Sequence, residues 1–249
     1  ARRMLVLEGC VQPILTPATN AAAARVLDRL GISLAPASAA GCCGAVSFHL
    51  NAQGEALDFM RRNIDAWWPH VEKGVEAIVT TASGCGTLVK DYGLHLAGDS
   101  RYAQKAAHVS ELAKDISEVV LAEKERVLKL APPRPALLAP PARIAFHAPC
   151  SLQHGLKIRG EVENLLSALS YGLTPVRDAH LCCGSAGTYS ILQPELAQRL
   201  LENKIAALIA GEPHEIATAN VGCQSHLQSA TARPVRHWIE LVDDRLSDS

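Results

Sequence analysis

The stretch Ala39-Ala40-Gly41-Cys42-Cys43-Gly44 returns further along the chain as His180-Leu181-Cys182-Cys183-Gly184. Two more cysteines stand around each copy, Cys10 and Cys85 around the first, Cys150 and Cys223 around the second. The offsets from Cys10 to Cys150, Cys42 to Cys182 and Cys43 to Cys183 are each 140 residues, and that from Cys85 to Cys223 is 138. All eight cysteines belong to this one duplicated frame. A spacing kept over about half the chain means two copies of one structural unit. Each copy gathers four thiols from three separate turns, as metal and iron–sulfur sites do when the fold brings thiolates together.

Two plainer readings of the cysteines fare worse. Buried free cysteine behaves as a small hydrophobe, but scattered core positions would not repeat at a fixed offset. A disulfide framework conflicts with the vicinal pairs, whose Cα atoms lie about 3.8 Å apart across a trans peptide, short of the roughly 4.4–6.8 Å usual for a bridge. With 249 residues, 48% of them hydrophobic, the chain has ample core and needs no staples. A reversible thiol–disulfide role, for instance between Cys10 and Cys42, is the rival that survives.

Outward from the cysteines, strand and helix patterns alternate. Met4–Leu7 is a short apolar run entering the first cysteine turn, and Thr19–Leu30 reads as a helix stopped by Gly31. Ile32–Ala35 is a strand candidate, Glu55–Val71 has helical periodicity, and Ala77–Thr81 is a buried strand ending in the turn Ser83–Gly86. Ser110–Leu130 reads as one long amphipathic helix. In the second half Arg143–Ala148, Leu173–Val176 and Ile216–Asn220 read as strands, and Gly160–Leu169 and Pro194–Ile209 as helices. Between the halves, Ala131–Pro141 carries five prolines and cannot form a regular element.

The expected fold is therefore α/β, with a first repeat over residues 1–130, a proline-rich linker over 131–142 and a second repeat over 143–249. Each repeat is a small, mainly parallel sheet with flanking helices. Sites in such sheets gather at the carboxyl ends of strands, and every cysteine group falls just after a strand candidate. Cys10, Cys42, Cys43 and Cys85 would form one site, Cys150, Cys182, Cys183 and Cys223 the other. Three histidines stand near: His147, His180 and His226. His226 follows Cys223 in a Cys-x-x-His spacing used by metal sites, so it is a further candidate ligand, although its counterpart in the first copy is Leu88. Trp67-Trp68 reads as core rather than as a redox relay.

Composition narrows the function classes. Lys and Arg number 24 against 25 Asp and Glu, and aromatics make up 4%, so neither a basic stripe nor stacking platforms for nucleic acid are present. No apolar run approaches the roughly 20 residues of a membrane-spanning helix. Free thiols in this number point to a reducing, cytoplasmic setting. The chain opens at Ala1 and enters a strand pattern almost at once, which suggests residues upstream. The dinucleotide-binding, P-loop and nucleophile-elbow motifs are absent, as is the C-x₂-C-x₂-C-x₃-C run of bacterial ferredoxins.

The paired Cys…Cys-Cys-Gly…Cys units resemble the cysteine-rich CCG-domain family, found in heterodisulfide reductases, lactate-utilisation proteins and glycolate oxidase iron–sulfur subunits. The stretches LEGCVQP, NAAAARVLDRLGI, GCCGAV, NIDAWWP, TASGCG, HLCCGSAGTY, ANVGCQSHL and VRHWIE are similar to the C-terminal two-thirds of the glycolate oxidase (glycolate dehydrogenase) iron–sulfur subunits. The resemblance implies two tandem CCG repeats and an oxidoreductase subunit that passes electrons from FAD on partner flavoprotein subunits to an acceptor such as a quinone. It implies a ferredoxin-like region upstream with two 4Fe–4S clusters, and a cytoplasmic position, peripheral on the inner face of the membrane. One departure stands out. The fuller family pattern ends in Cys-x-x-Cys, whereas here the last position is Leu88 or His226. Four thiols per copy suffice for one 4Fe–4S cluster, with zinc as the other occupant such ligands accept. They fall short of the five thiolates associated with heterodisulfide chemistry, which counts against that chemistry; the alternative readings are a thiol–disulfide or heterodisulfide reductase-type subunit, or a lactate-utilisation iron–sulfur protein.

Overall fold

The computed structural model describes residues 2–133 and 142–247. Most of the proline-rich segment, residues 134–141, lies outside the described residues. The chain divides into two compact units, one ending at Val120 and the other beginning at Leu121.

The first unit is built on a four-stranded sheet: β1 (Arg2–Leu7), β2 (Ile32–Pro36), β3 (Ala77–Thr80) and β4 (Ala113–Asp115), in the order β2-β1-β3-β4. The second repeats it with β5 (Arg143–His147), β6 (Gly172–Leu173), β7 (Glu215–Thr218) and β8 (Val235–His237), in the order β6-β5-β7-β8. Every strand pair is parallel. Parallel sheets carry helices on their faces and read as continuous apolar runs, and β3 is buried at all four positions. The register makes the duplication concrete. Leu7 faces Thr80 and Thr80 faces Asp115; in the second sheet His147 faces Thr218 and Thr218 faces His237. His147 thus occupies the place of Leu7, and His237 that of Asp115.

Helices cover the sheets because their apolar stripes need burial, not because their ends are well capped. Pro17–Arg29 has proline at its first position and no side-chain cap, yet buries Ala22, Ala23, Val26 and Leu27. Gln53–Val71 buries Met60, Ile64 and Trp67. Fully burying such a side chain contributes about 1.5–3 kcal/mol, against roughly 1 kcal/mol for a cap. Of the pair Trp67-Trp68 read as core, Trp67 is core; Trp68, one residue on and so turned to the helix's outer side, is half-buried and donates its Nε1–H to Glu72.

Three expectations are corrected. Ser110–Leu130 is not one helix. The helix Ala103–Leu112 ends there, β4 follows, and two helices, Ile116–Ala122 and Lys124–Leu130, come after. The break is a capping box. Asp115 Oδ1 accepts the Ser117 N–H at 2.8 Å, and Glu118 Oε2 accepts the Asp115 N–H at 2.8 Å. The pattern recurs at β8, where His237 Nδ1 accepts the Ile239 N–H at 3.2 Å and Glu240 Oε1 the His237 N–H at 3.4 Å. Second, Ser83–Gly86 is not a free turn but the first turn of the helix Ser83–Lys90, and Cys223 likewise sits in Val221–Gln228. Third, β6 spans only Gly172–Leu173 and does not continue to Val176.

Burial of the Asp115 carboxyl pushes it up to about 6, and its Oδ2 has no hydrogen-bond partner. A carboxyl raised by burial favours the folded state while protonated, so its contribution is largest at low pH and is lost as pH rises through 6. Asp115→Asn keeps an acceptor for Ser117. At pH 7.5 it should be more stable than the parent by about 1–3 kcal/mol, the gap shrinking as pH falls from 6 towards 4. Urea unfolding followed by circular dichroism reads this, and a gap independent of pH would show that Asp115 does not titrate there.

Candidate metal centre

In both units the cysteines sit at the carboxyl ends of strands. Cys10 follows β1, Cys42-Cys43 follow β2 and Cys85 lies in the helical turn after β3. Cys150 follows β5, Cys182-Cys183 follow the β6 segment and Cys223 lies in the turn after β7. All eight are free thiols. In the first frame the thiols form a chain of side-chain contacts, Cys10 with Cys42, Cys42 with Cys43 and Cys43 with Cys85. The second repeats it, Cys150 with Cys182, Cys182 with Cys183 and Cys183 with Cys223. Every cysteine singled out in the sequence is therefore brought to one of two clusters. The inner members, Cys43, Cys183 and Cys223, are buried, whereas Cys10 is exposed.

The turn that presents each pair depends on one glycine. Gly44 and Gly184 have φ of +93° and +88°. A Cβ at Gly184 would meet the Ala197 carbonyl oxygen at 2.5 Å, and one at Gly44 the Ala56 carbonyl oxygen at 3.0 Å. Only glycine meets both demands. The turn aims the following N–H at sulfur: Gly44 N–H donates to Cys42 Sγ at 3.4 Å and Gly184 N–H to Cys182 Sγ at 3.3 Å.

Packing four thiols together spreads their proton affinities. The hydrogen bond from Cys10, then that from Cys43, brings Cys42 down to about 2, while Cys10 and Cys43 are pushed up by their bonds to the Cys42 thiolate. In the second frame Cys182 is likewise held down to about 2, chiefly by Cys150, and Cys223 is lowered chiefly by Cys183 and in part by His147. Cys150 and Cys183 are raised. Crowded thiols resist joint ionisation because like charges a few ångströms apart repel. A cationic metal or iron–sulfur core reverses that logic by deprotonating its thiol ligands outright. Sulfur donors arriving from three turns, glycine turns at the pair and backbone N–H groups on sulfur together fit a thiolate-ligated metal or cluster.

The surroundings of the two frames differ. Behind the first, Asn63 of the helix Gln53–Val71 accepts the Gly41 N–H at 2.9 Å and donates to the Cys42 carbonyl at 2.8 Å and to the Tyr92 hydroxyl at 3.1 Å. The Tyr92 hydroxyl in turn donates to the Cys43 carbonyl at 2.7 Å. Both carbonyls of the vicinal pair are thus held from the helix side. Asn63 lies seven residues after Ala56; seven after Ala197, in the helix Pro194–Ile209, stands Lys204. It is buried, and its Nζ donates to the carbonyls of Asp178 and Ala179 at 3.2 and 3.1 Å. Burial lowers its pKa, partly offset by the nearby Cys183, Cys150 and Cys182 thiols. Arg62 is the cation near Cys42 in the first frame.

Sequence reasoning did not single out Asn63, Tyr92 or Lys204, because their role comes from tertiary packing, for Asn63 and Lys204 two helical turns beyond the residue the glycine presses against, and leaves no local motif. The histidines also sort differently. Among the described residues, the group able to hold a metal that includes a histidine is His147, Cys183 and Cys223, all buried, with ligand atoms within 4.8 Å of one another. His180 is exposed. His226 lies in the last turn of Val221–Gln228 with a buried, unpaired Nε2.

With fold and thiol clusters in place, the comparisons with known proteins are decisive for family. The cysteine-rich domain model, CCG, matches residues 4–90 and 144–228, one match per sheet. The chain belongs to the cysteine-rich CCG-domain family. It is 57% identical over 98% of its length to the glycolate oxidase iron-sulfur subunit of Escherichia coli (strain K12), of which it covers 58%. It is 28% identical over 89% of its length to the probable glycolate oxidase iron-sulfur subunit of Bacillus subtilis (strain 168), covering 48% of that protein. It also matches lactate utilization protein A of Anoxybacillus flavithermus at 23% identity, over 95% of this chain and 97% of the other. The chain thus spans about half the length of the two glycolate oxidase relatives.

Asn63 is fully buried and serves three partners. Asn63→Ala leaves the Gly41 N–H and the Cys42 carbonyl unsatisfied and should cost about 2–4 kcal/mol, while Tyr92→Phe, which removes one hydroxyl, should cost about 1–2 kcal/mol. Urea midpoints of the two variants give the ranking; a harmless Asn63→Ala would mean that the vicinal pair is held by other contacts.

Proposed function

We propose that this chain is an iron–sulfur electron-transfer module of a glycolate-oxidising, 2-hydroxy acid dehydrogenase complex. The observation that carries the reading is the convergence of four thiols at the strand ends of each unit, in a chain 57% identical to a glycolate oxidase iron-sulfur subunit. Cys10, Cys42, Cys43 and Cys85 would hold one 4Fe–4S cluster, and Cys150, Cys182, Cys183 and Cys223 a second. A cluster bound there accepts and releases one electron at a time. The residues of the chain set the conditions for it: Gly44 and Gly184 N–H groups donate to sulfur, and Asn63, Tyr92 and Lys204 fix the loops that carry the pairs.

No catalytic acid, base or nucleophile is assigned to the chain. Oxidation of glycolate would take place at FAD on partner subunits, and the acceptor, a quinone in the simplest scheme, would lie beyond it. Exposed apolar side chains flank the cysteine turns, Ile14 and Leu15 after Cys10, and Ile191 and Leu192 after Cys183. Such patches suit docking of a redox partner. Among the described residues no helix is long and apolar enough to cross a membrane. The free thiols of both frames suit a reducing, cytoplasmic position, peripheral on the membrane's inner face. The thiol–disulfide alternative loses ground because Cys85 and Cys223 do not stand apart from their vicinal pairs but touch Cys43 and Cys183.

The chain purified without oxygen should contain iron and sulfide at about four each per frame and give an electron paramagnetic resonance signal on reduction with dithionite. Cys43→Ser and Cys183→Ser should each remove about half of the iron. Zinc alone, or eight free thiols with no metal, would contradict the electron-transfer reading.

A further inference from the structure

The two frames share a backbone but not a donor set. His147, the last residue of β5, projects into the second thiol cluster: its ligand nitrogen and the sulfurs of Cys183 and Cys223 all lie within 4.8 Å of one another. The imidazole is 1% exposed and lies against the Cys223 thiol, which it helps to hold down. A ligating histidine binds through one nitrogen and leaves the other N–H for a carbonyl, carboxylate or water; among the described residues no protein oxygen takes either nitrogen of His147, and the sulfurs are what the ring faces. The register-equivalent residue in the first frame is Leu7, which belongs to the apolar core. Among the described residues, the first frame therefore gathers four sulfurs with no metal-binding group that includes an imidazole.

We propose that His147 is a direct ligand of the metal centre in the second frame beside Cys183 and Cys223, taking the position that one of the other two cysteines, Cys150 or Cys182, would otherwise fill, which makes that centre a mixed thiolate–imidazole site while the first is purely thiolate. The inference rests on the reading that the second frame holds iron, and goes beyond it. Neutral imidazole donates a nitrogen lone pair and releases no proton, so replacing a thiolate with it makes the site less negative. Nitrogen ligation of that kind raises the reduction potential of an iron–sulfur centre, and the buried Lys204 acts in the same direction. The second frame is then the more oxidising of the two. His226, whose spacing from Cys223 suggested a ligand, is not in this group.

The test is pulsed electron paramagnetic resonance on the reduced 249-residue chain with ¹⁵N-labelled histidine, alongside iron and sulfide analysis. The expected result is a strong coupling from a coordinated histidine nitrogen. It should be abolished by His147→Leu and unchanged in His226→Leu, with iron loss to a chelator at least about tenfold faster in His147→Leu. Iron and sulfide in full amount with no such coupling, or a coupling that survives His147→Leu, would overturn the ligand assignment and leave the iron–sulfur reading standing. A weak coupling typical of an N–H donated to sulfur would also overturn it. Absence of iron and sulfide from the unaltered chain overturns both. The labelled, unaltered chain decides the question even if His147→Leu fails to fold.

Discussion

The structure depends on holding four thiols in contact at one edge of a small parallel sheet. A parallel sheet delivers its loops to the same edge, because each crossover returns the chain to begin the next strand at the far side. Three adjacent strand ends then supply one, two and one cysteines without any long excursion. The arrangement is a crowded one: buried sulfur sits beside sulfur, and thiols in contact share protons unevenly rather than ionise together. Everything nearby serves to keep that crowding in place. The positive-φ glycine lets the vicinal pair press against a helix carbonyl, and that helix reaches back to fix the pair's own backbone.

Duplication has preserved this scaffold and let its lining diverge. Thr80 and Thr218 occupy the same register, as do Asp115 and His237, and both capping boxes survive although one is built on a carboxylate and the other on an imidazole. Around the sulfurs the exchange is larger. Leu7 corresponds to His147, and Asn63 to Lys204. A neutral amide and an aliphatic chain in one copy stand against an imidazole and an ammonium in the other. Backbone geometry is set by sheet and glycine and tolerates these changes, whereas the electrostatics of a bound centre would not. Two sites of one ancestry are in this way given different properties.

Much of this was legible in the residues alone. The 140-residue repeat located both units, and the alternation of apolar runs with helical stripes set the α/β class. The parallel topology followed from the class, and each thiol landed at a strand end as the pattern required. What escaped had physical reasons. The strands Ala113–Asp115 and Val235–His237 are three residues long and run straight into helices, so helical periodicity absorbed the first and the second was read as no element. The capping box Asp115-x-x-Glu118 is the signal that would have separated strand from helix. The cysteine turns after β3 and β7 are helical because their glycines sit within a helix first turn rather than in a loop. His147, Asn63 and Lys204 were invisible as site residues because their proximity to sulfur arises from register and packing over long separations. The Cys-x-x-His spacing drew attention to His226 instead, a local pattern competing with a tertiary one.

The central claim is that each thiol frame holds an iron–sulfur centre. The most direct measurement is anomalous diffraction at the iron edge from crystals of the chain grown without oxygen. The account predicts two iron peaks, one bounded by Cys10, Cys42, Cys43 and Cys85 and the other by Cys150, Cys182, Cys183 and Cys223. Peaks at the zinc edge alone, or eight thiols in hydrogen-bond contact with no metal between them, would contradict it.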